Sequence, residues 1–398
     1  MKKSKTNKNK IEKIYIGGWF QRTTLHLYEI YNFLQEGRSP LDLDAKKLKR
    51  LQEALNLKSV EMIMDRMEHI DAVTKDEINI KIYEDGLIVL STKPNSLKND
   101  IEKLRLYYEN KLSKGLNYIF SLGAPAPKEL ANIQNIYPYF IVLNKSSSKE
   151  VQSILKDFEQ QKFFEIKRKT FEIYRGNKLY IINNFSEKQQ SIERVVEEQI
   201  FMREFRTQLH RYLNLHRIIW EKIAEVKERG LIKGSEISKF KNKIESYSKT
   251  ITLIDTRIAQ MGAYIKTRGA IAGKDKDLKR FESVLEYKYE TLMDTLDYVK
   301  EIWVMTKRYV DSALELFSDL QSQSTSKSIN NLAIITSMGV GATLIGLFTK
   351  EFPEFTWVGP VYFLILALIG YIADKTMKYL YSRKKYTIND IEEDRNIK

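Results

Sequence analysis

Four histidines, at positions 26, 69, 210 and 216, are the side chains of this chain best suited to ligating a metal or passing a proton. None stands three or four positions from another, the spacing that sets two imidazoles on one helical face, so no histidine metal site is expected and any metal stays unknown. Cysteine is absent, which removes disulfides, thiolate ligands and cysteine nucleophiles. Carboxylates run together at Glu197-Glu198 and at Glu392-Glu393-Asp394, and such runs on helices and tails read as solvated faces. Asp374, with Lys375 and Lys378 close by in sequence, reads as an interfacial ion-pair residue, the sharper alternative being a proton relay. No catalytic constellation emerges, and the chain is not read as an enzyme. The remaining polar candidates are Gly17, Gly18, Arg22, Thr23 and Thr24, which follow a strand-like run at 14–16. Free N–H groups gather at a helix start, so these residues suit a phosphate or nucleotide contact. Two adjacent glycines are neither a P-loop nor a dinucleotide fingerprint, and an ordinary turn fits them equally.

The elements that would position these residues fall into two regimes. Residues 14–185 alternate strand-like and helix-like patterns. A helix carrying Leu25, Tyr28, Ile30, Phe33 and Leu34 closes near Gly37, and Ile78, Ile80 and Ile82 alternate with polar neighbours before an Asp85-Gly86 turn and a returning strand at 87–90. A helix at 95–114, a loop at 123–127, a buried strand at 139–143, a helix at 149–158 and a hairpin of 163–174 with 178–182 follow. This predicts an α/β (α+β) domain. From 186 the period turns helical: one helix over 187–229 ending at Gly230, a second from Ser235 to Thr267, a turn at 268–276, and a third starting at Leu278. Leu278, Phe281, Leu285, Leu292, Leu296, Val299, Trp303, Val310, Leu314 and Phe317 give that third helix a heptad-like seam, open to packing within one chain or between copies. With no breaker before the next apolar run, it predicts one element of about 75 residues, roughly 110 Å.

Two apolar stretches, 332–348 and 357–373, stand near the end of the chain. Each covers about 25 Å of helix, and flanking residues bring it toward the roughly 30 Å of bilayer hydrocarbon. Gly339, Gly341, Ala342 and Gly346 suit close helix packing in lipid, and Trp357, Tyr362 and Tyr371 suit an interface. A buried hairpin in a water-soluble core is the competing reading. Lys375, Lys378, Arg383, Lys384 and Lys385 follow the second stretch, which places both termini on the cytoplasmic side of an inner or plasma membrane. The organisation expected is a basic tail (1–13), a cytoplasmic domain (14–185), a three-helix stalk (186–327), transmembrane helices at 328–348 and 357–377 around an outer loop at 349–356, and a tail (378–398).

With 398 residues and 43% hydrophobic content the chain has ample core. Its formal charge of +14 is concentrated partly in six lysines within residues 1–13 and in the tail, where anionic lipid is a simpler partner than nucleic acid, and direct nucleic-acid binding is not expected. No apolar segment follows the basic start, so no secretory signal is expected there.

The combination of an α/β domain, antiparallel helices, a long helix leading into the first of two close apolar stretches and a basic tail resembles the CorA magnesium-transporter family. Residues 334–352 look like the end of that family's pore helix, Phe352-Pro353-Glu354-Phe355 resembles its short acidic outer loop, and Tyr381-Ser382-Arg383-Lys384-Lys385 resembles its basic end. The resemblance is local over about 278–386 and topological before that. It implies a homo-oligomer, a pentamer, with the first apolar helix lining a pore. On that helix Thr325, Ser328, Asn331, Ile335, Gly339, Ala342, Gly346 and Thr349 follow near three-four spacing as the pore face, with Lys350 and Glu351 at the outer mouth. The family's Gly-Met-Asn signature falls on Thr349-Lys350-Glu351, which keeps none of it and puts magnesium selectivity in doubt. The segment 15–26 is similar to the start of CorA relatives associated with type III CRISPR systems. Those effectors respond to a nucleotide second messenger made from ATP and S-adenosylmethionine, which implies a ligand such as an S-adenosylmethionine–AMP conjugate. The expected function is thus a nucleotide-gated channel in antiviral defence; alternatives are a divalent cation transporter with an altered mouth and a membrane-tethered coiled-coil scaffold.

Overall fold

The computed structural model describes residues 10–19, 26–65, 67–120, 136, 138–228, 231–281, 285, 288–348 and 383–387, together with 368, 371–372, 375–376 and 379–380. It separates into two compact units, residues 1–213 with 253–300 and residues 214–252 with 301–398. The long helices therefore contribute to both.

The first unit is built on a nine-stranded sheet. Its strands are β1 (Ile11–Trp19), β2 (Leu57–Ile63), β3 (His69–Thr74), β4 (Asn79–Tyr83), β5 (Leu87–Thr92), β6 (Tyr139–Asn144), β7 (Phe164–Lys167), β8 (Phe171–Arg175) and β9 (Leu179–Asn184), in the order β2-β3-β4-β5-β1-β6-β9-β8-β7. β6 and β9 pair in parallel; the other pairings are antiparallel. Helices α1 (Leu27–Glu36), α2 (Ala45–Ala54), α3 (Leu97–Tyr107), α4 (Ser113–Ile119) and α5 (Ser148–Asp157) accompany it. Ile14, Ile16, Ile80, Ile82, Leu90, Ile141 and Ile181 pack with Leu27, Ile30, Phe33, Leu104, Leu116 and Val151 in one core.

Local chemistry sets these elements. Leu27, Ile30, Phe33 and Leu34 are the buried stripe of α1, which stops where Gly37 adopts φ 68 and its N–H bonds the Phe33 carbonyl, a left-handed cap that glycine takes without strain. α5 starts on a capping box of Ser147 and Glu150. The β4–β5 turn uses Gly86 at φ 92 and Asp85, whose carboxylate accepts from the Leu87 N–H at 3.1 Å. Between α3 and α4 the helix widens into a π-turn, Tyr108–Leu112.

Four expectations are corrected. The chain does not turn at 268–276: helix α7 (Gly234–Lys274) continues through Arg268, and the break falls after α8 (Lys276–Phe281), before α9 (Tyr289–Phe348). Lys276 is already helical, and of the seam residues before α9 Phe281 is buried. Residues 163–174 form two strands, β7 and β8, rather than one. Strand β1 runs on through Gly17 and Gly18 to Trp19, because both glycines are paired in register with Val89 and Ile88 of β5. Strands β2 and β3 and helix α2 were not anticipated.

Helix α6 (Gln189–Glu228) lies in the first unit as far as Leu213. It covers the second sheet face, where Trp19 meets Phe201 and Phe205 at centroid distances of 5.8 and 5.2 Å. Of the seam residues, Phe281, Leu292, Leu296 and Val299 are buried within this unit.

The second unit packs segments of α6, α7 and α9. Trp220 stacks on Tyr309 at 4.2 Å, Phe240 approaches Phe317, and His216 hydrogen-bonds Thr306, with burial holding its imidazole below the usual range. Trp303, Val310 and Phe317 are buried there, so this part of the seam is satisfied by the chain's own helices. A two-stranded ribbon, β10 (Leu231–Lys233) with β11 (Lys385–Thr387), completes the unit.

The helical backbone of α9 extends without interruption through 321–327 into the first apolar stretch as far as Phe348. Most of the second stretch lies outside the described residues. Among the described residues no helix is long and apolar enough to cross a membrane.

Candidate functional site

A cleft of about 350 Å³ opens in the first unit where helices α6 and α7 leave the β3–β4 part of the sheet uncovered. Strand alternation builds its floor: Asp71 pairs with Lys81 and His69 with Tyr83 across β3 and β4, so all four share a face. The His69 and Tyr83 rings stack at 4.9 Å. One wall is the start of α6, where Glu193, Glu197 and Glu198 recur at helical spacing. The other is the end of α7, with Arg268, Ile271 and Asp275 three and four positions apart.

The charges interlock. Lys81 donates to Glu197 at 3.1 Å and Lys13 to Glu193 at 2.7 Å, while the Tyr15 hydroxyl bonds the same Glu193 oxygen at 3.1 Å. Arg194 pairs with Asp275. Arg268 is the most deeply set, its side chain 2% exposed. It bonds Asp85 with two nitrogens, the longer contact at 3.2 Å, and Glu198 at 2.8 Å, and Glu198 in turn accepts from the Tyr289 hydroxyl. The guanidinium also lies over the rings of Phe201 at 4.4 Å and Tyr83 at 5.4 Å. A buried arginine tolerates this setting because carboxylates and aromatic faces replace its water.

Proton affinities follow. Burial raises the Glu198 carboxyl above its usual range despite Arg268. For Glu193 burial pushes upward, but Lys13, Lys81 and Tyr15 win and hold it low. Burial lowers Lys81, yet Glu197 leaves the ammonium above its ordinary value. Burial, then Glu197, pushes the Tyr83 hydroxyl up.

Among the described residues of the lining, six carboxylates (Asp65, Asp71, Glu193, Glu197, Glu198, Asp275) face three strong bases (Lys81, Arg194, Arg268), an acid excess in a chain of +14. The cleft thus favours a cationic group over a bare phosphate, and the His69–Tyr83 pair adds a flat aromatic surface. Among the described residues of the lining none is serine, threonine or cysteine. Among the described residues no three histidine, aspartate or glutamate side chains cluster so as to hold a metal ion.

The glycine site read from sequence is elsewhere. A Cβ on Gly17 would stand 2.6 Å from the Ile88 carbonyl and 3.0 Å from Ile200, so that glycine permits close packing. Arg22, Thr23 and Thr24 lie outside the described residues, as do Thr349, Lys350 and Glu351. The backbone of α9 carries Thr325, Ser328, Asn331, Ile335, Gly339, Ala342 and Gly346. Glu197-Glu198, read as a solvated face, is instead inside the ion network. The signal for Arg268 was present: it takes the next position in the buried series Ile254, Ile258, Met261 and Ile265, a charge set in an apolar seam.

No protein-family model matches the chain, and no curated protein is found similar to it. Among solved structures it is similar to the complete CorA magnesium transporter from Methanocaldococcus jannaschii, with 10% identity over 63% of this chain and 92% of that one, at a TM-score of 0.20. It is also similar to the soluble domain of CorA from that organism, with 12% identity, 42% and 86% coverage and a TM-score of 0.16.

Proposed function

We propose that the chain is a subunit of a CorA-like homo-oligomeric, pentameric membrane ion channel, with the apolar hairpin 328–377 in the plasma membrane and both termini cytoplasmic. The observation that carries this reading is the pairing of β11 with β10. The chain leaves along α9 into the first apolar stretch, and after the second it is back beside the turn between α6 and α7. An out-and-back excursion is what a two-span hairpin with both ends on one side requires.

The α/β unit is the proposed sensor, and its ligand a nucleotide such as an S-adenosylmethionine–AMP conjugate, acting in type III CRISPR antiviral defence. Such a conjugate carries an ammonium and a sulfonium besides its phosphate and purines. The acid excess of the cleft suits the cationic half, and the His69–Tyr83 pair suits a purine face, which makes the cleft a better host than Gly17 and Gly18. Tyr289, the first residue of α9, is bonded to Glu198 of the cleft, so an occupant there meets the long helix directly.

Ion flux from liposomes holding the full chain tests the reading. Flux that rises with the conjugate supports it. Flux indifferent to nucleotide but set by magnesium favours a divalent cation transporter, and no flux under either condition leaves only a tethered scaffold.

A further inference from the structure

The β10–β11 ribbon has two unlike faces. Ile232 and Tyr386 pair across it and are 1% and 6% exposed, so its inner face belongs to the core of the second unit. On the other side alternation presents Leu231, 52% exposed, and sets Lys233 directly opposite Lys385. Like charges facing each other across a ribbon destabilise it. Two further cations adjoin the pair: Lys384, whose carbonyl takes the Gly234 N–H at 3.0 Å, and Arg383, which lies over the exposed Tyr379 ring at 4.5 Å. The neighbouring carboxylate, Glu236, accepts from the Lys233 backbone N–H at 3.3 Å.

We infer that the outer face of the β10–β11 ribbon docks on an anionic lipid surface, with Lys233, Lys384, Lys385 and Arg383 meeting headgroup phosphates and Leu231 entering the interface. The inference rests on the membrane reading above and joins Leu231 and Lys233, far from the apolar stretches in sequence, to the basic residues that follow the second stretch. Charge complementarity identifies the partner: four clustered cations at one end of the ribbon and an exposed leucine at the other match a negatively charged surface with an apolar interior. An anionic surface also lowers the cost of the Lys233–Lys385 juxtaposition. Tyr379 and Leu380, 53% and 56% exposed just before the ribbon, extend the same interfacial chemistry toward the second apolar stretch.

The test uses the full chain. Flotation with vesicles of phosphatidylcholine, with and without phosphatidylglycerol, comes first; a chain that floats with neither overturns the membrane reading and this inference together. Backbone hydrogen exchange over 231–234 and 383–387 is then compared in nanodiscs of the two compositions. Slower exchange with phosphatidylglycerol is expected, the slowing falling roughly fivefold for each lysine removed in Lys233→Gln and Lys385→Gln and shrinking in high salt. Leu231→Ser, which keeps every charge, should weaken it as well. Equal exchange in both discs overturns the inference while leaving the membrane reading intact. So does equal slowing by inorganic phosphate in phosphatidylcholine discs, which would assign the face to a free anion. The wild-type comparison decides the matter even where a variant fails to fold.

Discussion

Arg268 and Asp85, 183 positions apart in sequence, form a buried ion pair through two guanidinium nitrogens. The pair ties the end of α7 to the β4–β5 turn, and Trp19 closes the same turn by donating its indole N–H to the Asp85 carbonyl at 2.8 Å. Removing only the cation leaves Asp85 and Glu198 buried with no counter-charge. Arg268→Met should therefore cost about 3–5 kcal/mol in denaturant unfolding. The same change made with Asp85→Asn and Glu198→Gln should cost less, since the triple variant buries no orphaned charge. A triple variant as unstable as the single one would show that packing over Phe201 and Tyr83, rather than charge, holds Arg268.

Gly17→Ala tests whether that glycine serves packing or a ligand. The added methyl meets the Ile88 carbonyl at 2.6 Å, a backbone atom that cannot move aside without disturbing the β1–β5 ladder. A loss of about 1–3 kcal/mol in stability is expected. A variant with wild-type stability and weakened nucleotide binding would restore Gly17 as a ligand contact.

What could be read from the sequence here was what neighbours in sequence decide. The α1 stripe and its Gly37 stop, the Asp85-Gly86 turn and the Tyr139–Asn144 strand each depend on a few adjacent residues, and each forms. In place of the expected turn at 268–276, α7 runs on through Gly269, which admits the Tyr289 ring, whose nearest atom would lie 3.5 Å from a Cβ there. Strands β2 and β3 escaped notice because their open face carries Glu61, Asp71 and His69, which dilute the apolar alternation. The ribbon strands are three residues each, too short for any period. The cleft is a meeting of β3, β4, α6 and α7, and no local pattern encodes it.

Glu204 should make stability pH-dependent. Its side chain lies buried on α6, near Arg203 and Arg211 of the same helix and the fully enclosed Tyr108 hydroxyl of the π-turn. Burial, only partly offset by the two arginines, lifts its carboxyl from 4.5 to about 7. The unfolded chain ionises near 4.5 while the folded one keeps its proton, so the favourable contribution is complete below about 4.5, declines as pH rises, and is gone above about 7. At about 1.4 kcal/mol per tenfold change in proton affinity the decline is on the order of 3 kcal/mol. Unfolding free energies between these limits should fall for the wild type and be flatter for Glu204→Gln. An equal slope in both proteins would assign the titration to another group.

Cross-linking tests the arrangement of the proposed pore. The chain has no cysteine, so Ser328→Cys and Gly339→Cys each introduce the sole thiol. Among the described residues nothing stands within 4 Å of a Cβ at Gly339. Pore-lining positions of a symmetric oligomer approach their own copies around the axis, and oxidation should give disulfide-linked dimers on gels at both sites. Cysteines at Leu364 and Ala367 in the second stretch should give none. On the proposed pore face Ile335, between the two tested positions, would block ions by dewetting, and Ile335→Asn should then raise basal flux from liposomes. Dimers from the second stretch alone, with basal flux unchanged in Ile335→Asn, would exchange the roles of the two stretches and move the pore off α9.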